Sequence, residues 1–236
     1  MQTLYGKNCL GNMETAKKIT RKAAGTTSAQ KIKAAYIEHL LTYGKRPASV
    51  YKFCVDLGLK EDAFYSYVGS FDGLEKLIWK GFADGVIDKL KADASFHNFT
   101  AREKILSFYF SLLEELKLSR SFVLYQLDNT KRPGPVPEYL KGFKTSFETF
   151  FESILNEGKG NGEVAKRPML DKRYPTLFWL HLGFILLFWK SDDSPDFEKT
   201  DAAVEKSVNL AFDLIGKGAV DTAIDFAKFL YQNNLS

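Results

Sequence analysis

Residues 31–74 read KIKAAYIEHLLTYGKRPASVYKFCVDLGLKEDAFYSYVGSFDGL. Ile32, Ala35, Tyr36, Leu40 and Tyr43 recur at helical spacing and predict a first helix from about Ser28 to Tyr43. Gly44 stands where that helix ends, since glycine accepts the left-handed backbone just past a C-terminus. Lys45-Arg46-Pro47 is a connector. A short second helix starts at Pro47 or Ser49 and turns Val50, Phe53, Cys54 and Leu57 inward. Gly58-Leu59-Lys60 is the next turn, and Glu61 to Val68 forms a third helix with Ala63, Phe64 and Val68 facing in. Gly69 breaks it, and Ser70 caps a fourth helix. Short helices about a glycine turn, preceded and followed by amphipathic helices, form the pattern of a DNA-reading helix-turn-helix.

Outward from this stretch the chain stays helical. The fourth helix runs to about Ala94, with Leu74, Leu77, Ile78, Phe82 and Val86 as its inner stripe. Thr100 and Glu103 have the spacing of a capping box and open an aromatic helix through Leu118. A shorter helix covers 119–127, a Pro-rich loop 130–137, and a Phe-rich helix 138–157. Residues 158–173 read as a flexible loop. Tyr174 to Trp189 is apolar on all sides, Ser194-Pro195 caps a further helix through Ile215, and a last helix ends near Asn233. No strand-like alternation of useful length occurs. The expectation is an all-α chain: a basic arm at 1–27, a three-helix helix-turn-helix domain at 28–74, and a larger helical bundle at 75–236.

The bulk numbers bound the function classes. The 236 residues are 45% hydrophobic and 26% charged, a globular composition. Two cysteines are too few for a disulfide framework and suit a reducing compartment, so the chain is expected in the cytoplasm. The N-terminus lacks the apolar run of a secretory signal, and the longest apolar run, Leu177 to Trp189, is too short to span a bilayer. Net charge is +4, but Met13 to Lys60 holds ten Lys or Arg against three acids, leaving −3 for the remainder. A basic front on a slightly acidic body suits a module that meets a polyanion.

The stretch Gly58-Leu59-Lys60-Glu61-Asp62-Ala63-Phe64-Tyr65-Ser66-Tyr67-Val68-Gly69-Ser70-Phe71-Asp72-Gly73-Leu74 resembles the TetR family of regulators. That family's turn and recognition helix read roughly Gly-Val-Ser-x-x-x-Leu-Tyr-x-His/Tyr-Phe-x-Ser/Asn-Lys-Glu-x-Leu. The glycine, first tyrosine, following aromatic, serine, acid and leucine are kept without insertion. Three positions depart: Lys60 replaces the capping serine, Glu61 and Asp62 open the recognition helix, and Phe71 replaces a lysine near phosphate. Phe197 to Ser207 also looks like a C-terminal subgroup of the family. The resemblance implies a ligand-responsive homodimeric repressor that binds double-stranded operator DNA and is released by a small hydrophobic effector. The alternative is a TetR-like fold that no longer reads sequence and serves as a lipid-binding or protein-interaction module.

Candidate residues follow from that frame. Flanking phosphate contacts are expected from Lys31, Lys33, Lys45, Arg46, Ser49, Lys52, Lys60 and Lys76, and base or groove contacts from Glu61, Ala63, Tyr65 and Tyr67. A carboxylate in the major groove can accept from cytosine N4, while acids in a first helical turn also suit the helix dipole. Phe108, Tyr109, Leu112, Tyr125, Phe143, Phe147, Phe151, Phe178 and His181 are candidates to line an effector cavity, against the plainer reading of core packing. A helix apolar on every side needs cover on every side. A second copy is therefore expected against Trp179, Leu182, Ile185, Leu186 and Trp189, with Val204, Val208 and Phe212 on the following helix. His39, His97 and His181 lie far apart, no metal-ligand spacing or nucleophile elbow occurs, and neither an enzyme activity nor a cofactor is expected.

Overall fold

The computed structural model describes residues 28–129, 136–216, 218 and 228. The basic arm at 1–27 and the helix end near Asn233 lie outside the described residues. Helices α1 (Ser28–Tyr43), α2 (Val50–Asp56), α3 (Glu61–Tyr65) and α4 (Phe71–Ala92) are followed by α5 (Ala101–Lys117), α6 (Arg120–Asp128), α7 (Lys141–Asn161), α8 (Tyr174–Ser191) and α9 (Glu198–Ile215). No strand occurs among the described residues. The protein is all-α, an N-terminal helix-turn-helix module followed by a larger helical body.

Local chemistry explains most boundaries. Gly44 and Gly58 take the left-handed backbone at φ +62° and +65°, which reverses the chain after α1 and after α2. Ser49 Oγ accepts from Lys52 N at 3.1 Å and Ser70 Oγ from Gly73 N at 3.1 Å, capping α2 and α4. Both halves of the capping box form at α5: Thr100 Oγ1 accepts from Glu103 N, and the Glu103 carboxylate accepts from Thr100 N. Helix α3 ends at Tyr65, three residues before the expected Val68, because the Ser66 and Val68 amides close onto Asp62 and Phe64 and the chain then turns. Helix α7 starts at Lys141 and continues through Asn161, four residues into the expected loop.

The start of α9 depends on a group outside it. The buried Asp192 carboxylate accepts from the amide and hydroxyl of Ser194 and of Thr200, at 2.6–2.9 Å. Against burial, which would raise it, those bonds hold the Asp192 carboxyl below the usual carboxylate range. The cap of α9 is shared: Ser194 Oγ accepts from Lys199 N at 3.2 Å, as expected, and Asp192, six residues before the helix begins, accepts from Thr200 N at 2.8 Å.

Module and body share one core and a polar tie. Ile32, Tyr36 and Leu40 of α1 pack with Phe53, Cys54 and Phe64, and Tyr36 stacks on Phe71 at 5.2 Å. Glu75, in the second turn of α4, is only 4% exposed. Its Oε1 accepts from Tyr36 Oη at 2.6 Å and from Arg46 Nε at 3.0 Å, and its Oε2 accepts from Arg46 Nη2 at 2.6 Å. Arg46 also pairs with Asp72 at 2.7 Å. Burial, then the bond to Glu75, pushes the Tyr36 hydroxyl far above its ordinary range, so it remains a donor. Removing one partner of a buried pair strands the other. Because Arg46 is half exposed, Glu75→Ala is expected to lower the unfolding free energy by about 2–3 kcal/mol in urea. A loss under about 0.5 kcal/mol, the size of an ordinary surface change, would show that the tie contributes little.

Candidate nucleic-acid interface and the body behind it

Helix α3 is five residues long, and its outer side is open: Asp62, Tyr65 and Ser66 are exposed, Tyr65 by 52%. Glu61, Ala63 and Tyr67 are half-buried. Lys60 caps α3 by backbone position only, without a side-chain bond. Asp62 takes over that role through Oδ1, which accepts from Ala63 N at 2.8 Å. On α2, Tyr51, Lys52 and Val55 are exposed beside it. The outer face of the module is therefore aromatic and mixed in charge.

The basic residues divide into two groups. Lys45, Lys52 and Lys60 are exposed and, among the described residues, make no ion pair. Arg46 and Lys76 are engaged within the protein: Arg46 grips Glu75 and Asp72, and Lys76 pairs with Glu138 of the body at 3.3 Å. Lys31 Nζ donates to Leu57 O at 3.2 Å, and Lys33 Nζ sits 6.0 Å above the Tyr67 ring. Ser49 spends its hydroxyl on the α2 cap. Sequence counting could not separate these groups, because a cation's partner 26 to 62 residues away leaves no local signal.

The aromatic residues of the body face one another. Phe147 stacks on Phe151 at 3.9 Å, Phe108 meets Phe147 and Phe151 at 5.5 and 5.2 Å, and Phe151 meets Phe178 at 5.4 Å. Phe143 meets Trp179 at 5.9 Å, and Leu112 is fully buried. This is ring-on-ring core, the plainer of the two readings. Tyr125 is not part of it. Its hydroxyl donates to Gly44 O at 3.0 Å, so it joins α6 to the end of α1.

His181 is a hydrogen-bonded core histidine. Ser207 Oγ donates to Ala203 O at 2.5 Å, which leaves it to accept from His181 Nε2 at 2.7 Å. Nδ1 is then the acceptor for Tyr109 Oη, at 2.7 Å. Burial raises the Tyr109 hydroxyl well above its ordinary value and lowers His181, so one neutral tautomer satisfies the chain. Below the ordinary value of 6.5 the unfolded chain takes up a proton that the folded ring resists. Stability is therefore expected to fall as pH drops from about 6.5 toward the lower folded value. His181→Gln should flatten that part of the melting-temperature profile, and an unchanged slope would contradict the assignment.

The dimer-face expectation is corrected in its register. Leu182, Ile185, Leu186 and Trp189 of α8, with Val204, Val208 and Phe212 of α9, are buried within the single chain, and Trp179 is half-buried against Phe143 and Phe147. The outward residues of α8 are Leu177, Leu180, Phe184 and Leu187, and α9 adds Leu210 and Leu214. Ser207, Leu210 and Leu214 share a stripe of α9, and Ser207 touches His181, which shares a stripe of α8 with Leu177 and Phe184. Both leucine sets therefore flank one seam. No helix of the described residues is long and apolar enough to cross a membrane, and no group of three His, Cys or acids among them could hold a metal ion.

Residues 104–230, more than half of the chain, match the sequence profile of the tetracyclin repressor-like C-terminal domain family. Among solved structures, a protein of unknown function from Rhodococcus sp. RHA1 shares the fold with a TM-score of 0.55 at 13% identity, covering 84% of this chain and 100% of that one. A chain from Shewanella sp. PV-4 assigned to the TetR family of transcription regulators has a TM-score of 0.46 at 13% identity, covering 79% and 96%. No curated protein shows significant similarity to the chain.

Proposed function

The chain belongs to the TetR family of transcription regulators, and on that premise we propose that it is a homodimeric, ligand-responsive DNA-binding repressor. The observation that carries the assembly is the uncovered apolar seam of α8 and α9. Monomeric soluble proteins rarely leave a contiguous apolar patch of this kind open. Leu180 and Leu187 are 64% and 68% exposed, and a second copy of the same seam covers them by twofold symmetry. Phe184→Arg combined with Leu180→Glu should give a folded monomer in sedimentation velocity. Leu182→Ala, between those two positions but on the inner face, should instead lower stability by about 2–5 kcal/mol. A wild-type protein that sediments as a monomer at tens of micromolar would end the dimer assignment.

For DNA contact, α3 and the exposed half of α2 enter the major groove while Lys45, Lys52 and Lys60 meet phosphate. Six such lysines in a dimer correspond to a salt slope, log K against log salt, of about −5. The engaged Arg46 and Lys76 contribute nothing to it. The second reading, a TetR-like module that has lost sequence reading and binds a lipid or a protein, draws on the same short basic list and on Glu61 and Asp62. Salt-titrated binding to duplex DNA separates the two. A slope near zero, with no preference over random duplex, supports the module that no longer reads sequence.

The small hydrophobic effector expected from sequence has a poor host in this body, because its aromatic residues already fill one another's contacts. Ligand response in this proposal rests on family membership and on α4, the helix that ties into the module at Glu75 and runs on into the body.

A further inference from the structure

Between α4 and α7, on their outer side, lies an open groove of about 510 Å³. That lies within the roughly 300–1,000 Å³ of small-molecule clefts. From α7, Thr145, Thr149 and Ser153 contribute hydroxyls at four-residue spacing, about 6 Å apart along the helix. From α4, Lys80, Asp84, Asp88 and Lys91 line the same groove, and Ile87 and Phe150, 7% and 5% exposed, add a narrow apolar edge.

Most of these groups are engaged. Lys80 pairs with Asp84, whose Oδ1 also accepts from Ser146 Oγ at 2.7 Å. Thr145 Oγ1 donates to Lys141 O and Ser153 Oγ to Phe150 O. Three are not. Among the described residues, Asp88 and Thr149 have no hydrogen-bond or ion-pair partner. Lys91 holds its ammonium 5.7 Å above the Phe150 ring rather than on a carboxylate. Asp88 and Lys91 are three residues apart, hence neighbours on one face of α4, roughly 5–6 Å between Cβ atoms. An acid and a base thus stand side by side without pairing, next to an unclaimed hydroxyl and a narrow apolar edge.

We propose that this groove binds a small zwitterion of the α-amino-acid type. Its ammonium donates to the Asp88 carboxylate and Thr149 Oγ1, its carboxylate accepts from Lys91 Nζ, and its side chain lies on Ile87 and Phe150. A simple anion would meet the carboxylates of Asp84 and Asp88. A simple cation would meet Lys80 and Lys91. A molecule whose ammonium and carboxylate are borne by one carbon atom meets each with its opposite.

The site spans the two helices that a signal has to couple. Asp88 lies thirteen residues beyond Glu75 on α4, about 20 Å along the helix from the tie into the module. A ligand that bridges Asp88 to Thr149 fixes the far end of α4 against α7. The consequence for DNA rests on the regulator reading above; the binding step does not.

The test is thermal unfolding of the full chain with single L-amino acids at millimolar concentration, followed by calorimetric titration of whichever one raises the midpoint. Glucose, the corresponding amino-acid amide and the N-acetylated acid serve as controls. At least one L-amino acid is expected to raise the midpoint, while its amide and its N-acetyl form do not. Asp88→Asn and Thr149→Val, both at exposed positions, should weaken it at least tenfold without changing the helical signal. No stabilising amino acid, equal binding by either blocked form or by glucose, or unchanged affinity in Asp88→Asn would overturn the proposal. Duplex binding measured in parallel keeps the two conclusions apart. Amino-acid binding without DNA binding removes the regulator reading alone, and DNA binding without amino-acid binding removes this site alone.

Discussion

The Glu75 carboxylate, buried where α4 leaves the helix-turn-helix module, accepts three hydrogen bonds from Tyr36 and Arg46. An ionised group that far from water has to be matched, and here the match comes from α1 and from the α1–α2 connector. The consequence is geometric. Tyr36 is fixed against α4, the half-exposed Arg46 is held by Glu75 and Asp72, and Gly44 is held beside α6, where Tyr125 donates to its carbonyl. The orientation of α3 relative to the body is thus set by a few specific bonds as well as by the shared apolar core.

The same economy explains the module's outer face. Arg46 is held by Glu75 and Asp72 within the protein, and Lys76 pairs with Glu138. Among the described residues, the outer face carries Lys45, Lys52 and Lys60 without ion pairs, exposed tyrosines and the Asp62 carboxylate. In the body, α8 divides its apolar surface between two tasks. One side closes the core with Phe178, Leu182 and Ile185, and the other remains open along the seam with α9. The His181 chain pins α8 to α9 beneath that seam, so the two helices present their leucines as one surface.

Much of the fold was legible because its signals are local. The stripe of α1, the Ser70 cap, and the Thr100 and Glu103 box each depend on residues a turn or two apart, and each forms as read except that Tyr43, at the end of the α1 stripe, is exposed. The inward side of α8 was not legible. When Leu177, Leu180 and Leu182 are equally apolar, periodicity carries no phase, and the packing of α5, α7 and α9 chooses the side. The Asp192 cap was missed because its acceptor sits outside the helix it starts, and the Glu75 tie because its partners are 29 and 39 residues away. One signal could have found Glu75: an acid whose i+3 and i+4 neighbours, Ile78 and Trp79, are both core residues. The effector candidates were ambiguous for another reason, since a cluster of phenylalanines reads the same whether it lines a cavity or fills one.

The central claim is that two copies meet along α8 and α9 and hold their α3 helices outward at the spacing of one duplex turn. The distance between spin labels at Ser66→Cys, in a chain also carrying Cys9→Ser and Cys54→Ala, measures this directly by electron–electron double resonance. The account predicts a single narrow distribution centred near about 35 Å. No dipolar coupling, or a distribution centred far outside that separation, would contradict it.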